Sequence, residues 1–133
     1  VHFVEQVPRW TAQHGMDVIL DPVGGAYFES NIASLAGDGR LVLIGLLDGV
    51  TAPIALGAMM SRRLRVIGST LRGRSIATKA RIMDALHERV WPLIEAGQIR
   101  PVIEVVMPVT EADQAHQLLS NNETFGKVVL DLP

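Results

Sequence analysis

The chain has 133 residues, 48% of them hydrophobic and 20% charged, with a formal net charge of −2 and no cysteine. That length and balance predict one globular domain and exclude a disordered chain. The lack of basic excess argues against a nucleic-acid or anionic-membrane partner. No apolar run approaches the roughly 20 residues of a membrane span, and no signal-peptide pattern is visible. Without cysteine the chain offers no disulfide, thiolate nucleophile or Cys-ligated zinc. A cytoplasmic location is the expectation, and the start at Val1, directly in amphipathic sequence, reads as a piece of something longer.

Residues Phe3 to His14 are predicted helical from the spacing of Phe3, Val4, Val7, Trp10 and Thr11, with Pro8 awkward in the interior and Gly15 as the stop. Met16 to Leu20 is the first strand and leads into Asp21-Pro22-Val23-Gly24-Gly25. An apolar burst ending in this way is the pattern of a buried parallel strand that delivers the chain to a ligand crevice. Ala26 to Leu35 is a helix, ended by a tight turn at Gly37-Asp38-Gly39. Leu41 to Ile44 is the second strand, Pro53 to Ser61 a short helix and Arg65 to Ser69 the third strand.

Ser75 is a natural N-cap for a long helix whose stripe is Ile76, Ala80, Met83, Leu86, Val90, Leu93 and Ile94, bent late by Pro92 and closed by Gly97. Val102 to Val106 is a fourth strand. Thr110-Glu111-Ala112-Asp113 resembles a capping box ahead of a helix, and Lys127 to Leu132 is the last strand. Helical crossovers between the first three strands predict a parallel sheet with right-handed connections. The last two strands, flanked by Pro101, Pro108 and polar residues, read as half-exposed or paired outside that sheet.

Gly24 and Gly25 have two readings: close backbone approach to a ligand, or a plain turn that opens a helix. Asp21 reads as a crevice acceptor or as the cap of the following helix. Arg72 and Arg74 read as attractors of a phosphate, or as a solvated loop. His2, His14, His87 and His116 share no face and have no metal-ligand spacing, so no metal site is assigned. No Gly-x-Gly-x-x-Gly follows a strand, and Gly37-Asp38-Gly39 lies before one, the wrong side for a pyrophosphate cradle.

Four strings in order carry a family likeness: Gly15 to Gly25, Gly39 to Gly45, Gly68-Ser69-Thr70-Leu71-Arg72-Gly73-Arg74-Ser75, and Gly126 to Leu130. Together they resemble the medium-chain dehydrogenase/reductase superfamily and, within it, the zinc-independent NADPH:quinone oxidoreductases, over the C-terminal portion of such an enzyme. The resemblance implies an α/β fold: the C-terminal half of a Rossmann-type doubly wound parallel sheet, strands 4, 5 and 6 of the order 3-2-1-4-5-6. A strand–helix–strand tail would then return to the catalytic domain. The implied division is 1–98 for the partial cofactor domain and 99–133 for the return segment.

By the same resemblance Gly24 and Gly25 lie near the cofactor, and Gly45, Leu46 and Leu47 lie against the nicotinamide ribose. Ser69, Thr70, Leu71 and Arg72 approach the carboxamide, while Asn122 and Lys127 sit at the cleft. The implied cofactor is NADP (as NADPH), and no catalytic residue is assigned. The implied activity is hydride transfer to a quinone or activated enone, the chain alone being inactive. Other implied readings are the enoyl-reductase-like module of a synthase and a non-catalytic dinucleotide-binding scaffold. A homodimer through the edge strand 65–69 is expected.

Overall fold

The computed structural model describes residues 3–122 and 124–132, so His2 lies outside the described residues. The chain falls into two compact units, one running to Ser75 and the other starting at Ile76.

The first unit opens with a short 3-10 turn, Phe3–Glu5, and a four-residue helix α1, Val7–Trp10. The longer helix expected over 3–14 does not form. Pro8 is confined to the first turn of α1, where its missing N–H costs nothing. The left-handed backbone of Ala12 (φ 48°) and Gln13 (φ 69°) ends helical geometry before Gly15 is reached.

Strand β1 (Met16–Asp21), helix α2 (Gly25–Ser34), strand β2 (Leu35–Leu43), helix α3 (Leu56–Ser61) and strand β3 (Arg65–Gly68) follow. The three strands form one parallel sheet in the order β1-β2-β3, as the crossovers predicted. β2 begins earlier than expected. Met16 pairs with Leu35, and Val18 then pairs with Arg40, so Gly37-Asp38-Gly39 is looped out of the strand instead of closing the helix. Asp38 takes a left-handed φ of 63° there and donates its N–H to the Arg62 carbonyl at 2.8 Å. Its carboxylate receives Nε and Nη2 of Arg63 at 2.8 and 2.7 Å, and these hydrogen bonds hold its pKa below the ordinary value.

The core of this unit is Phe28 and Ile32 of α2, Leu35 and Leu41 of β2, and Leu64, with Ile19, Leu43, Met59 and Val66 packed around it. The carbonyls left over at the end of α2 are met by Arg62, whose Nη2 donates to Ile32 at 3.0 Å and also to Leu35. The other face of β1, bearing Val18 and Leu20, is exposed. Burial of the first strand is therefore one-sided, where a doubly wound sheet covers both faces.

The second unit holds α4 (Ile76–Arg89), α5 (Trp91–Glu95), β4 (Ile103–Pro108), α6 (Ala112–Ser120) and β5 (Lys127–Asp131). The expected single long helix is two. Pro92 has no N–H and its ring opposes the preceding turn, so the break falls at Val90 and Pro92 occupies the first turn of α5. α4 buries none of its residues, and its predicted stripe residues Ile76 and Met83 are exposed. The capping box is not formed: Thr110 lies in a 3-10 turn, Val109–Glu111, and Glu111 caps α6 without a side-chain hydrogen bond. β4 and β5 form a separate two-stranded parallel sheet, which matches their reading as strands outside the main one. α6 lies against this pair and buries Ala115.

Leu41 is fully buried at 0% exposure. Leu41→Ala is expected to destabilise the fold by about 2–5 kcal/mol, against less than about 0.5 kcal/mol for Leu47→Ala at the surface. Equilibrium denaturation of both variants checks the ordering.

Candidate functional site

The site is built from the carboxyl ends of the parallel strands. At the end of β1 the Asp21 carboxylate is buried, the residue being 3% exposed. It accepts the N–H of Val23 at 2.6 Å, the N–H of Gly24 at 3.2 Å on each oxygen, and Nδ2 of Asn31 at 3.0 Å. Asp21 does not cap α2, whose N-cap is Gly24 without a side-chain hydrogen bond; its carboxylate instead closes the turn ahead of the helix. Asn31, also 3% exposed, is its side-chain partner from α2. Asn31 is not among the site residues expected from the sequence. The available signal was an amide between Phe28 and Ile32 on the apolar face of a helix, where an unsatisfied polar group would be costly.

The turn so fixed is zipped to the segment that follows β2. Ile44, Leu47 and Asp48 donate their N–H groups to the carbonyls of Asp21, Pro22 and Val23 at 2.8, 3.1 and 2.8 Å. In return Gly25 and Ala26 donate to Gly49 and Asp48, each at 2.8 Å. The glycines permit this contact. A Cβ on Gly24 would lie 2.8 Å from the Gly49 oxygen, one on Gly25 2.6 Å from the Thr51 oxygen, and one on Gly45 2.7 Å from the Pro22 oxygen. The close approach made at Gly24 and Gly25 is to the 46–51 loop, an arrangement that neither sequence reading named.

At the ends of β2 and β3 an open cleft of about 740 Å³ is lined by Leu43, Ile44, Gly45, Leu46, Gly68, Ser69, Thr70 and Arg72. Ser69 extends the strand pairing by donating its N–H to Leu43 at 2.8 Å. Of the expected site residues the cleft brings together Gly45, Leu46, Ser69, Thr70 and Arg72. Gly24, Gly25 and Leu46 line an adjoining hollow of about 200 Å³ with Phe28 and Gly49. Leu47, at 83% exposure, and Leu71 project at the surface and do not line the cleft. Arg74 folds back, its Nε donating to the Thr70 carbonyl at 3.1 Å. Asn122, with a left-handed φ of 58°, and Lys127, at the start of β5, belong to the second unit, where Lys127 donates its N–H to Val102 at 2.8 Å.

The cleft lining combines the apolar residues Leu43, Ile44 and Leu46 with Ser69, Thr70 and the charged Arg72. Gly68 faces open space, with nothing within 4 Å of a Cβ built on it. These features fit the nicotinamide end of a dinucleotide, a flat ring carrying a carboxamide. They do not fit zinc: the chain has no cysteine, and among the described residues no group of three or more His, Asp or Glu converges. No helix among the described residues is long and apolar enough to cross a membrane.

A parallel sheet with a cleft at its carboxyl edge is the architecture of a Rossmann-like cofactor-binding region. Residues 2–130 match the model of the zinc-binding dehydrogenase family, and the chain belongs to that family, within the medium-chain dehydrogenase/reductase superfamily. It is 32% identical over 133 residues to the phthioceranic/hydroxyphthioceranic acid synthase of Mycobacterium tuberculosis, covering 100% of this chain and 6% of the synthase. Among solved structures, an NAD-dependent alcohol dehydrogenase aligns with a TM-score of 0.73 and 31% identity over 99% of this chain and 36% of its own. The quinone oxidoreductase of Thermus thermophilus, solved also as its complex with NADPH, aligns with a TM-score of 0.75 and 29% identity over 96% of this chain and 40% of its own. The chain thus spans well under half the length of each of these relatives.

Gly45→Ala is expected to cost about 1–3 kcal/mol, because the new methyl meets the Pro22 backbone, which cannot swing aside. Gly68→Ala is expected to change stability by no more than about 1 kcal/mol. Thermal melts of the two variants test whether the glycines differ as their surroundings require.

Proposed function

We propose that this chain supplies the nicotinamide-side wall of a dinucleotide site in an oxidoreductase that transfers hydride from NAD(P)H to a quinone or activated enone. The observation that carries this reading is the cleft at the carboxyl ends of β2 and β3, whose lining joins Leu43, Ile44 and Leu46 to Ser69 and Thr70. Ligands of open α/β sheets are held in that position. NADPH is the proposed cofactor, with NADH as the competing form, since the relatives include both an NADPH complex and an NAD-dependent enzyme.

When bound, the dinucleotide supplies the hydride; the chain's residues hold it in place. Leu43, Ile44 and Leu46 cover the ring's surroundings and exclude water. The hydroxyls of Ser69 and Thr70 offer donor and acceptor to the carboxamide. The backbone at Gly68, where a Cβ would face open space, lets the ring and ribose approach closely, while Gly45 is seated on Pro22. Arg72 meets a negative or carbonyl oxygen of cofactor or substrate. Gly24 and Gly25 act from behind by seating the 46–51 loop. Leu47 and Leu71 contribute through their backbone. Residues 1–98 would form the cofactor side and 99–133 a return segment, in a cytoplasmic enzyme.

The similarity to the mycobacterial synthase favours a second reading, in which the acceptor is an enoyl thioester handled by the same hydride chemistry. Titration of the complete protein with NADPH and NADH, followed by turnover with a quinone and with an enoyl thioester, separates the readings. Saturable binding is expected, weakened about tenfold by Gly68→Ala with a change in stability of no more than about 1 kcal/mol. No dinucleotide binding at millimolar concentration would overturn both readings and leave a scaffold role. The 133 residues alone are expected not to turn over, because the glycine-rich phosphate turn is not among them.

A homodimer is proposed through β3. This strand pairs with β2 on one side, and its other edge carries no partner strand among the described residues. Edges of this kind invite pairing with a second copy. Val66→Pro is expected to shift the complete protein from dimer to monomer in sedimentation; a dimer retained by that variant would exclude this interface.

A further inference from the structure

We infer that Asn31 is a positioning residue for the cleft: acting through the buried Asp21 carboxylate, it fixes the turn against which the Gly45–Leu46 wall is built. The inference rests on the reading of that cleft as a dinucleotide site, and it concerns a residue that does not line the cleft.

Asp21 and Asn31 are each 3% exposed. Among the described residues no Lys, Arg or His forms an ion pair with Asp21. Its charge is instead satisfied by the N–H groups of Val23 and Gly24 and by Nδ2 of Asn31 at 3.0 Å. A buried carboxylate held only by neutral donors is sensitive to the loss of any one of them. The two backbone donors are local, two and three residues along the chain. Asn31 is the donor that comes from ten residues away, on α2, and it ties the turn to the helix.

The cleft wall follows the turn's shape. Successive carbonyls of Asp21, Pro22 and Val23 receive Ile44, Leu47 and Asp48, while Gly25 and Ala26 reach back to Gly49 and Asp48. Gly45 lies directly on Pro22. Gly45 and Leu46, together with Ile44, form the β2 side of the cleft. A turn that loosens at Asp21 therefore shifts the hydrogen-bond ladder that places these residues. The core clustered around Leu41 is apolar, and it meets Asn31's helix through Phe28 and Ile32.

The test exchanges donor and acceptor. Asn31→Asp removes the donor and sets two carboxyls within hydrogen-bond distance, so they must share a proton or part. Asn31→Leu removes the donor without adding charge. The double variant Asp21→Asn with Asn31→Asp restores one donor and one acceptor with the roles reversed. Two quantities are read: the NADPH dissociation constant of the complete protein, and amide exchange at Leu47 and Asp48 relative to Leu41. Asn31→Asp and Asn31→Leu are expected to weaken NADPH binding about tenfold and to speed exchange at Leu47 and Asp48 but not at Leu41. The double variant is expected to recover most of both.

Wild-type binding and exchange in Asn31→Leu would overturn the inference, as would a double variant no better than Asn31→Asp. Faster exchange everywhere, Leu41 included, would also overturn it, by making Asn31 a general stability residue. If the unmutated protein binds no dinucleotide, the functional reading fails, and the exchange comparison alone decides whether Asn31 positions the wall.

Discussion

The buried Asp21 carboxylate is the constraint on which the carboxyl edge of the sheet depends. A negative charge at 3% exposure is tolerable only if donors converge on it. Satisfying it bends residues 21–24 into one shape, and that shape presents its carbonyls outward in sequence to Ile44, Leu47 and Asp48. The parallel pairing of β1 with β2 is thereby continued past the end of both strands by a turn. Glycine is required where the two backbones meet, and Gly24, Gly25 and Gly45 would each carry a Cβ within 3 Å of a backbone oxygen. An acid, an amide and these glycines thus form one packing unit, which sets the β2 side of the cleft.

The parts of the fold legible in the sequence were those written in apolar patterning. The bursts at 17–20, 41–44 and 64–67 are short, β-branched and separated by helix-length segments, and each falls in or beside a strand of the parallel sheet. What was not legible depended on backbone geometry that composition does not encode. The loop-out at Gly37-Asp38-Gly39 looks like a helix stop, because glycine and aspartate favour turns whether they end a helix or interrupt a strand. The capping box at Thr110–Asp113 has the right residue types, yet the chain spends Thr110 in a 3-10 turn and starts α6 at Ala112. The first helix shrinks to Val7–Trp10 because two non-glycine residues adopt left-handed φ, which no propensity rule would place at Ala12.

The site shows the same division. Gly45, Leu46, Ser69, Thr70 and Arg72 are found together because strand ends of a parallel sheet converge on one edge, and strand ends can be read from sequence. The side-chain pair behind them was half visible. Asp21 was marked as a cap, but its partner lies ten residues on, where an asparagine in a helix is ordinarily a solvent-facing residue. Only the packing of Phe28 and Ile32 on either side turns that position inward.

The start of α2 limits which end of a dinucleotide this edge can hold. A helix N-terminus that follows a glycine pair is a natural place for a phosphate, because its first N–H groups lack intrahelical partners. Here those donors are already committed: Gly24 to the Asp21 carboxylate, Gly25 to the Gly49 carbonyl and Ala26 to the Asp48 carbonyl. An anion at α2 would have to displace two backbone hydrogen bonds and approach a buried carboxylate. The cleft between β2 and β3 has no such obstacle; its walls are apolar and its lining contains one cation and no acid. On the proposed reading the nicotinamide belongs on this edge because its walls are apolar. On that reading the pyrophosphate is gripped by a different turn, because the Asp21 network that shapes the β2 side of the cleft accompanies a helix start whose first N–H groups are already committed.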